Sequence, residues 1–369
     1  MVERPAGELW SVERHWREFA ASMQRDVTGF DPAGPRVRQA VACGAAVAFA
    51  VLGAILLDLD YPMWSGMSAF TCLQASAAAT RLKGLLRILG TIAGGLTGAL
   101  VIGLFAQDHW ALLIALFAGV TFALYRSYLS RWMYAWLLGG ITLGLVLMTT
   151  LADASAGLHA AAYRAAEIAV GVIAAWAAGA LLLPEMIDAE TDRKLMAAPK
   201  LGSWRRAALT ALEGGTGIVI VVILYDLLDL PGFSSGAISI TRIADPDPLV
   251  GRHRGFLRVI GCVIGGGAGL LTVSLSLDWL PTLLVWLFAW CTVFGYFGSG
   301  SPASGYAGMQ AAFAFCLAVV PDGQPSTTLD PAIDRLAGIV LAMAVFWVID
   351  FIFGTADEDE HAPPATEPA

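Results

Sequence analysis

Residues 81–95 read Arg81-Leu-Lys-Gly-Leu-Leu-Arg-Ile-Leu-Gly-Thr-Ile-Ala-Gly-Gly95, and 171 positions later the chain reads Arg252-His-Arg-Gly-Phe-Leu-Arg-Val-Ile-Gly-Cys-Val-Ile-Gly-Gly266. Both copies follow one pattern: basic-x-basic-Gly, a Leu-Arg pair, then an apolar run with a glycine every fourth residue. The offset persists without a gap. Gly98 returns as Gly269, Phe117 as Phe288, Tyr125 as Tyr296, Arg164 as Arg335 and Trp176 as Trp347. A fixed offset held over so long a stretch marks an internal duplication, and a duplication fixes the architecture before any motif is considered.

Each copy is built to sit in lipid. The 369 residues are 57% hydrophobic and 14% charged, with a mean hydropathy of +0.68, which leaves too little polar surface to cover a water-soluble globule. A bilayer core about 30 Å thick takes roughly 20 apolar residues of helix. Uncharged stretches of that kind run over 39–57, 88–107, 132–152, 168–184 and 259–277, and an uncharged run over 279–320 is divided by the Gly/Ser/Pro stretch at 298–305. Shorter or weaker candidates are 61–80, 110–125, 207–225, 231–244 and 336–353. The expectation is an all-α integral membrane protein of about twelve transmembrane helices, arranged as two parallel six-helix repeats. The segments are continuously apolar rather than alternating, which favours helices over a porin-like barrel. The expected organisation is an N-terminal segment over 1–35, a first repeat over 36–184, a connector over 185–203, a second repeat over 204–354 and a disordered acidic tail over 355–369. No signal-peptide core is expected in the first 35 residues.

Charge orients the chain. With the N-terminus inside, twenty of the 22 Lys and Arg residues fall on the cytoplasmic side, and only Arg164 and Arg335 fall outside. Under the positive-inside rule this predicts a multi-pass protein of the bacterial inner membrane with both termini cytoplasmic. Six spans per copy is an even number, so the copies run in the same sense and a pseudo-twofold axis along the membrane normal is expected. The five cysteines lie in apolar spans without CxxC spacing, which favours small buried packing groups over a metal or a disulfide.

Several short motifs resemble one family. Tyr61-Pro-Met-Trp64, Gln74, Gly84-Leu-Leu-Arg-Ile-Leu-Gly-Thr91, Arg131 with Tyr134, and the run 164–171 are similar to the fusaric acid resistance and aromatic acid exporter family, relatives of the aluminium-activated malate transporters. The resemblance covers most of 36–184 and, through the repeat, 204–354 more weakly. It implies paired six-helix units and weak organic acids as substrates. In some Gram-negative relatives it also implies a periplasmic adaptor protein. The large cytoplasmic helical domain that many relatives carry after each unit is not expected here, since only 185–203 and a short tail are available.

The candidate substrate-binding residues are those that would attract and orient a small organic anion. Arg87 and Arg258 recur one turn inside corresponding spans, and a guanidinium offers a carboxylate a planar fork that stays charged. The plainer reading is snorkelling or pairing with a neighbouring helix. Arg242 lies in a segment that Pro246 and Pro248 should shorten, with Asp245 and Asp247 beside it as proton-coupling candidates. Thr71 and Gln74 are the neutral partners on the matching span, and Trp64 gains weight from the family motif. Glu167 and Glu213 are further proton-coupling candidates, with an ion pair between Glu167 and Arg164 as the plainer reading. The glycine stripes point to close helix packing. No nucleophile motif, phosphate loop, metal spacing or cofactor signature is present, so an enzyme and a nucleic-acid partner are not expected. The expected function is export of small, aromatic carboxylic acids, proton-coupled if the protein is an active pump. A passive organic-anion channel and a structural membrane protein remain open at this stage.

Overall fold

The computed structural model describes residues 12–153, 155–183, 204–228, 233–275, 279–322 and 330–358. All regular structure among them is helical. An N-terminal helix, α1 (Val12–Thr28), is followed by α2 (Pro35–Leu56), α3 (Pro62–Cys72), α4 (Ala77–Phe105), α5 (His109–Leu129), α6 (Met133–Ala152) and α7 (Ala156–Leu182). Then come α8 (Trp204–Leu228), α9 (Phe233–Ile243), α10 (Pro248–Ser274), α11 (Leu280–Gly298), α12 (Pro302–Val319) and α13 (Asp330–Glu358). Proline supplies the first residue of α2, α3, α10 and α12, where its missing N–H costs no helical hydrogen bond.

Eight of these helices, α2, α4 to α8, α10 and α11, are long and apolar enough to cross a membrane. The protein is a multi-pass α-helical membrane protein. The twelve segments expected from sequence each contain a helix, and two of those helices are short. Both α3 and α9 have 11 residues, a rise of about 16 Å, which is roughly half a bilayer core. Shortness was expected only of α9, from its prolines. In α3 the stop comes from polar side chains. Leu73 turns to an extended conformation (ψ 122°), Thr80 Oγ1 accepts from the Gln74 N–H at 3.0 Å, and Ser76 Oγ accepts from the Ala79 N–H at 3.0 Å to open α4. Ser76 is thus a helix-start residue inside what reads as one apolar run.

The chain divides into two compact units, and neither is contiguous in sequence. One unit holds α1 to α3, α4 up to Leu85, α7 from Glu167, α10 from Leu249, α11 and α12. The other holds α4 from Leu86, α5, α6, α7 up to Ala166, α8, α9 and α13 from Ile333. Within the first unit α2 packs on α11 and α3, and α12 packs on α11, α3 and α1. Within the second, α8 packs on α5 and α9, and α6 packs on α5 and α9. The segment over 185–203 lies outside the described residues, as does the tail beyond 358. Helix α13 continues to Glu358, inside the stretch expected to be a tail.

The glycine stripes are packing surfaces. In the second unit, a β-carbon on Gly94 would fall inside the contact radius of the Gly139 carbonyl oxygen, and one on Gly90 would meet the Ala135 carbonyl, so α4 and α6 touch backbone to backbone. In the first unit Gly265 meets the Ala311 carbonyl in the same way, joining α10 to α12. In lipid, where tails compete equally for apolar side chains, such close approach is a main source of helix association. Gly94→Ala and Gly265→Ala are each expected to cost about 1–3 kcal/mol, read as a lower melting temperature of the purified protein. Gly103→Ala and Gly267→Ala, where a β-carbon meets nothing within 4 Å, should leave it unchanged.

Candidate functional site

The short helix α3 leaves a space behind it. Within the first unit a cavity of about 500 Å³ opens where the 73–76 break between α3 and α4 meets the 299–301 break between α11 and α12. Phe70, Leu73, Met309 and the Tyr306 ring give it apolar walls. Gln39, Thr71, Gln74, Ser299 and Lys83 bring polar groups to it, and Lys83 is the one cationic side chain among its described lining residues. A concavity of this volume, its lining divided between polar and apolar groups, has room for a small molecule.

The polar lining is held in place by the helix ends. Gln74 Nε2 donates to the Thr71 carbonyl at 3.1 Å and to the Leu73 carbonyl at 2.7 Å, and Thr71 Oγ1 donates to the Met67 carbonyl at 2.6 Å. Lys83 stands on the second turn of α4, half-buried, one residue before Gly84, whose missing side chain admits Trp176 and Val172 of α7. The opposite wall is fixed by Asp26 of α1. Its carboxylate accepts from Arg36 Nη1 at 2.9 Å, from the Ser301 N–H at 3.3 Å and from the Ser304 hydroxyl, while Tyr296 donates to the Asp26 carbonyl at 2.8 Å. Burial by itself would raise the Asp26 carboxyl. The hydrogen bonds from Ser304, Arg36 and Ser301, with the Arg36 charge, outweigh it and hold the group below the ordinary aspartate range.

Of the residues singled out from sequence, Thr71 and Gln74 line this cavity. The three arginines do not. Arg258 is buried in the same unit and donates toward the Tyr306 hydroxyl at 3.5 Å, so it meets the cavity only through that ring. Arg87, in the other unit, is buried and donates to the Tyr134 hydroxyl at 2.8 Å. Each of these hydrogen bonds reaches a neighbouring helix, α4 to α6 for Arg87 and α10 to α12 for Arg258. Arg242 closes α9 in the second unit, half-buried, and Asp245 accepts from the Asp247 N–H at 3.0 Å to form the turn into α10. Trp64 is half-buried in α3, and its carbonyl accepts from Ser68 Oγ at 2.6 Å. Glu213 is half-buried on α8 in the second unit. Glu167 is 1% exposed, and its Oε1 accepts from the Tyr61 N–H at 2.9 Å while its carbonyl accepts from Ser65 Oγ at 2.7 Å. It therefore anchors the start of the short helix whose other end lines the cavity.

Lys83, Tyr306, Phe70 and Gln39 were not among the residues expected at a site. Lys83 had a visible signal, the repeated basic-x-basic motif, but there it reads as a topogenic charge. Tyr306 and Gln39 had none, since only the fold brings 39, 70–83 and 295–309 together.

Comparison with known proteins places the chain. Residues 37–217 match the Fusaric acid resistance protein family and residues 218–349 match the Fusaric acid resistance protein-like family, which together cover most of the sequence. The p-hydroxybenzoic acid efflux pump subunit AaeB of Escherichia coli O9:H4 (strain HS) is 30% identical over 179 residues, 45% of this chain and 27% of that protein. The subunits of the same name from Escherichia coli K12 and from Enterobacter cloacae subsp. cloacae are each 27% identical over 177 residues, with the same coverage. The match thus spans about a quarter of those relatives' length. No solved structure matches the chain.

The Asp26 cluster yields a prediction of definite sign. Because the folded carboxyl titrates below its ordinary value of about 4, its contribution is present at neutral pH and is lost as pH falls through that lowered value. Asp26→Asn is expected to weaken the docking of α1 by about 1–3 kcal/mol at neutral pH. Faster tryptic cleavage after Arg25 and faster amide exchange over 299–306 would report it, and below about pH 4 the wild type should approach the variant.

Proposed function

Since the chain belongs to the fusaric acid resistance family, we propose that it exports small aromatic carboxylic acids across the bacterial inner membrane. The observation that carries this reading is the cavity of the first unit, which Lys83 lines together with the Phe70 and Tyr306 rings. An aromatic carboxylate has the matching parts. Its ring lies against Phe70, Tyr306 and Met309, its carboxylate pairs with Lys83, and a ring hydroxyl meets Thr71 or Gln74. A desolvated ion pair of this kind gives orientation as well as affinity. In this reading Arg258 positions Tyr306. Trp64 contributes packing within α3 and does not touch the substrate.

Twelve passes with both termini cytoplasmic, in two six-helix repeats, are part of the proposal. The constant 171-residue offset supports the repeat, and so does the correspondence between units: α2, α3, α11 and α12 pack in one as α8, α9, α5 and α6 do in the other. Each unit would then combine the first, second and last helices of one repeat with the middle three of its twin. The relatives' names describe each as a subunit of a pump, and a periplasmic adaptor is proposed as a partner on that ground. Copurification from a host that expresses both would test it.

For active export a proton carrier is needed, and the role is assigned to Glu167, buried at the start of α3, ahead of Glu213, Asp245 and Asp247. Two variants separate binding from coupling. Lys83→Ala is expected to weaken p-hydroxybenzoate binding at least tenfold in nanodiscs, and unchanged affinity would remove the cavity as the site. Glu167→Gln keeps the acceptor for the Tyr61 N–H, so binding should persist while proton-driven accumulation in proteoliposomes is lost. Full accumulation by Glu167→Gln would leave Glu167 as an anchor alone. A wild type that never exceeds equilibrium under an imposed gradient would make the protein a passive anion channel.

A further inference from the structure

Two of the five histidines, 238 residues apart in the chain, meet at the seam between α1 and α10 in the first unit. His15 Nδ1 and His253 Nδ1 are 2.8 Å apart, and Glu18 Oε2 is 4.0 Å from His253 Nδ1. One donor atom from each of the three residues lies within 4.8 Å of the others. His15 and Glu18 are three apart on α1, so one helical face presents both. His15 is 3% exposed, whereas the His253 and Glu18 side chains stand 24% and 50% exposed, and a cavity of about 400 Å³ lies beside them.

We propose that His15, Glu18 and His253 form a binding site for a divalent transition-metal ion of the zinc type. Two imidazoles and one carboxylate suit zinc, cobalt or nickel, and they do not suit magnesium or calcium, which prefer oxygen ligands throughout. Bonds of about 2.0–2.1 Å at a tetrahedral angle separate two nitrogens by about 3.3 Å. The two rings need to part by only about half an ångström to admit the ion. Water from the adjoining cavity completes the coordination. Two guanidinium groups oppose the cation. Arg14 Nε lies 4.0 Å from Glu18 Oε1, and Arg254 lines the same cavity. The ion therefore competes with Arg14 for Glu18, which gives the site a variant that should strengthen it.

The site fastens α1 at a sensitive place. Phe19 of α1 packs with Leu257 and Ala307, and Met23 packs against the same cluster, which also takes in Tyr306. Tyr306 lines both this cavity and the larger one. The metal would staple the N-terminal helix over the segment that shapes the candidate substrate site. Binding of the ion itself does not depend on the transport reading.

The test uses the full chain, purified without a polyhistidine tag, stripped with chelator and placed in nanodiscs. Zinc chloride titrated by calorimetry should bind one ion per chain, in millimolar magnesium as well as without it. Cobalt should give the visible absorption of a tetrahedral site. His253→Ala is expected to weaken zinc binding at least tenfold and abolish the cobalt spectrum, Glu18→Gln to weaken it severalfold, and Arg14→Gln to bind as tightly as wild type or tighter. Zinc should also slow tryptic cleavage after Arg17 in wild type and leave His253→Ala unaffected. Because loss of the buried His15 could itself unseat α1, the partly exposed His253 and Glu18 decide the matter. Equal zinc binding by wild type and His253→Ala, or no one-to-one binding by wild type, overturns the proposal.

Discussion

A backbone polar group inside an apolar surround must find a partner, and every helix that stops there needs substitutes for the bonds it gives up. In the first unit α3 stops at Cys72 and α11 at Gly298. The first break is satisfied by Ser76 and Thr80 and by the Gln74 amide folding back on its own turn. The second is satisfied by Ser299, which donates back to the Gly295 carbonyl, and by Asp26, which takes the Ser301 N–H from outside the bundle. Two breaks satisfied by side chains leave a polar-edged space where continuous helices would have packed solid. The cavity, its lining and the docking of α1 all follow from that arrangement.

The rest of the scaffold holds helices close enough for the breaks to matter. Glycine at every fourth position brings α4 onto α6 in one unit and α10 onto α12 in the other, at backbone contact. Gly171 does the same for α7 against Ser65 of α3, next to the point where Glu167 holds the Tyr61 N–H. A buried carboxylate at one end of an 11-residue helix and the cavity at its other end form a short mechanical link.

The helices were legible because their signals are long, uncharged runs. The repeated sequence pattern was legible because its offset never shifts. What escaped was carried by single residues or by distant ones. Ser76 stops a helix within an apolar run, and one serine among alanines reads as filler until its hydroxyl is seen to cap α4. Lys83 reads as a topogenic charge, and only the fold brings it to the same cavity as Phe70 and Tyr306. The arginines drew attention because cations in apolar spans are expensive, yet Arg87 and Arg258 donate to tyrosine hydroxyls and do not line the cavity. Histidines at 15 and 253 share no sequence spacing, so no pattern could have joined them.

Photolabelling with 4-azidobenzoate, followed by peptide mapping, addresses the central claim most directly, because the unmodified protein reports where an aromatic acid rests. Labels within 70–83 and 295–309, reduced by excess p-hydroxybenzoate, are the predicted result. Labels confined to the second unit around Arg242 and Asp247, with the first unit unmarked, would contradict it.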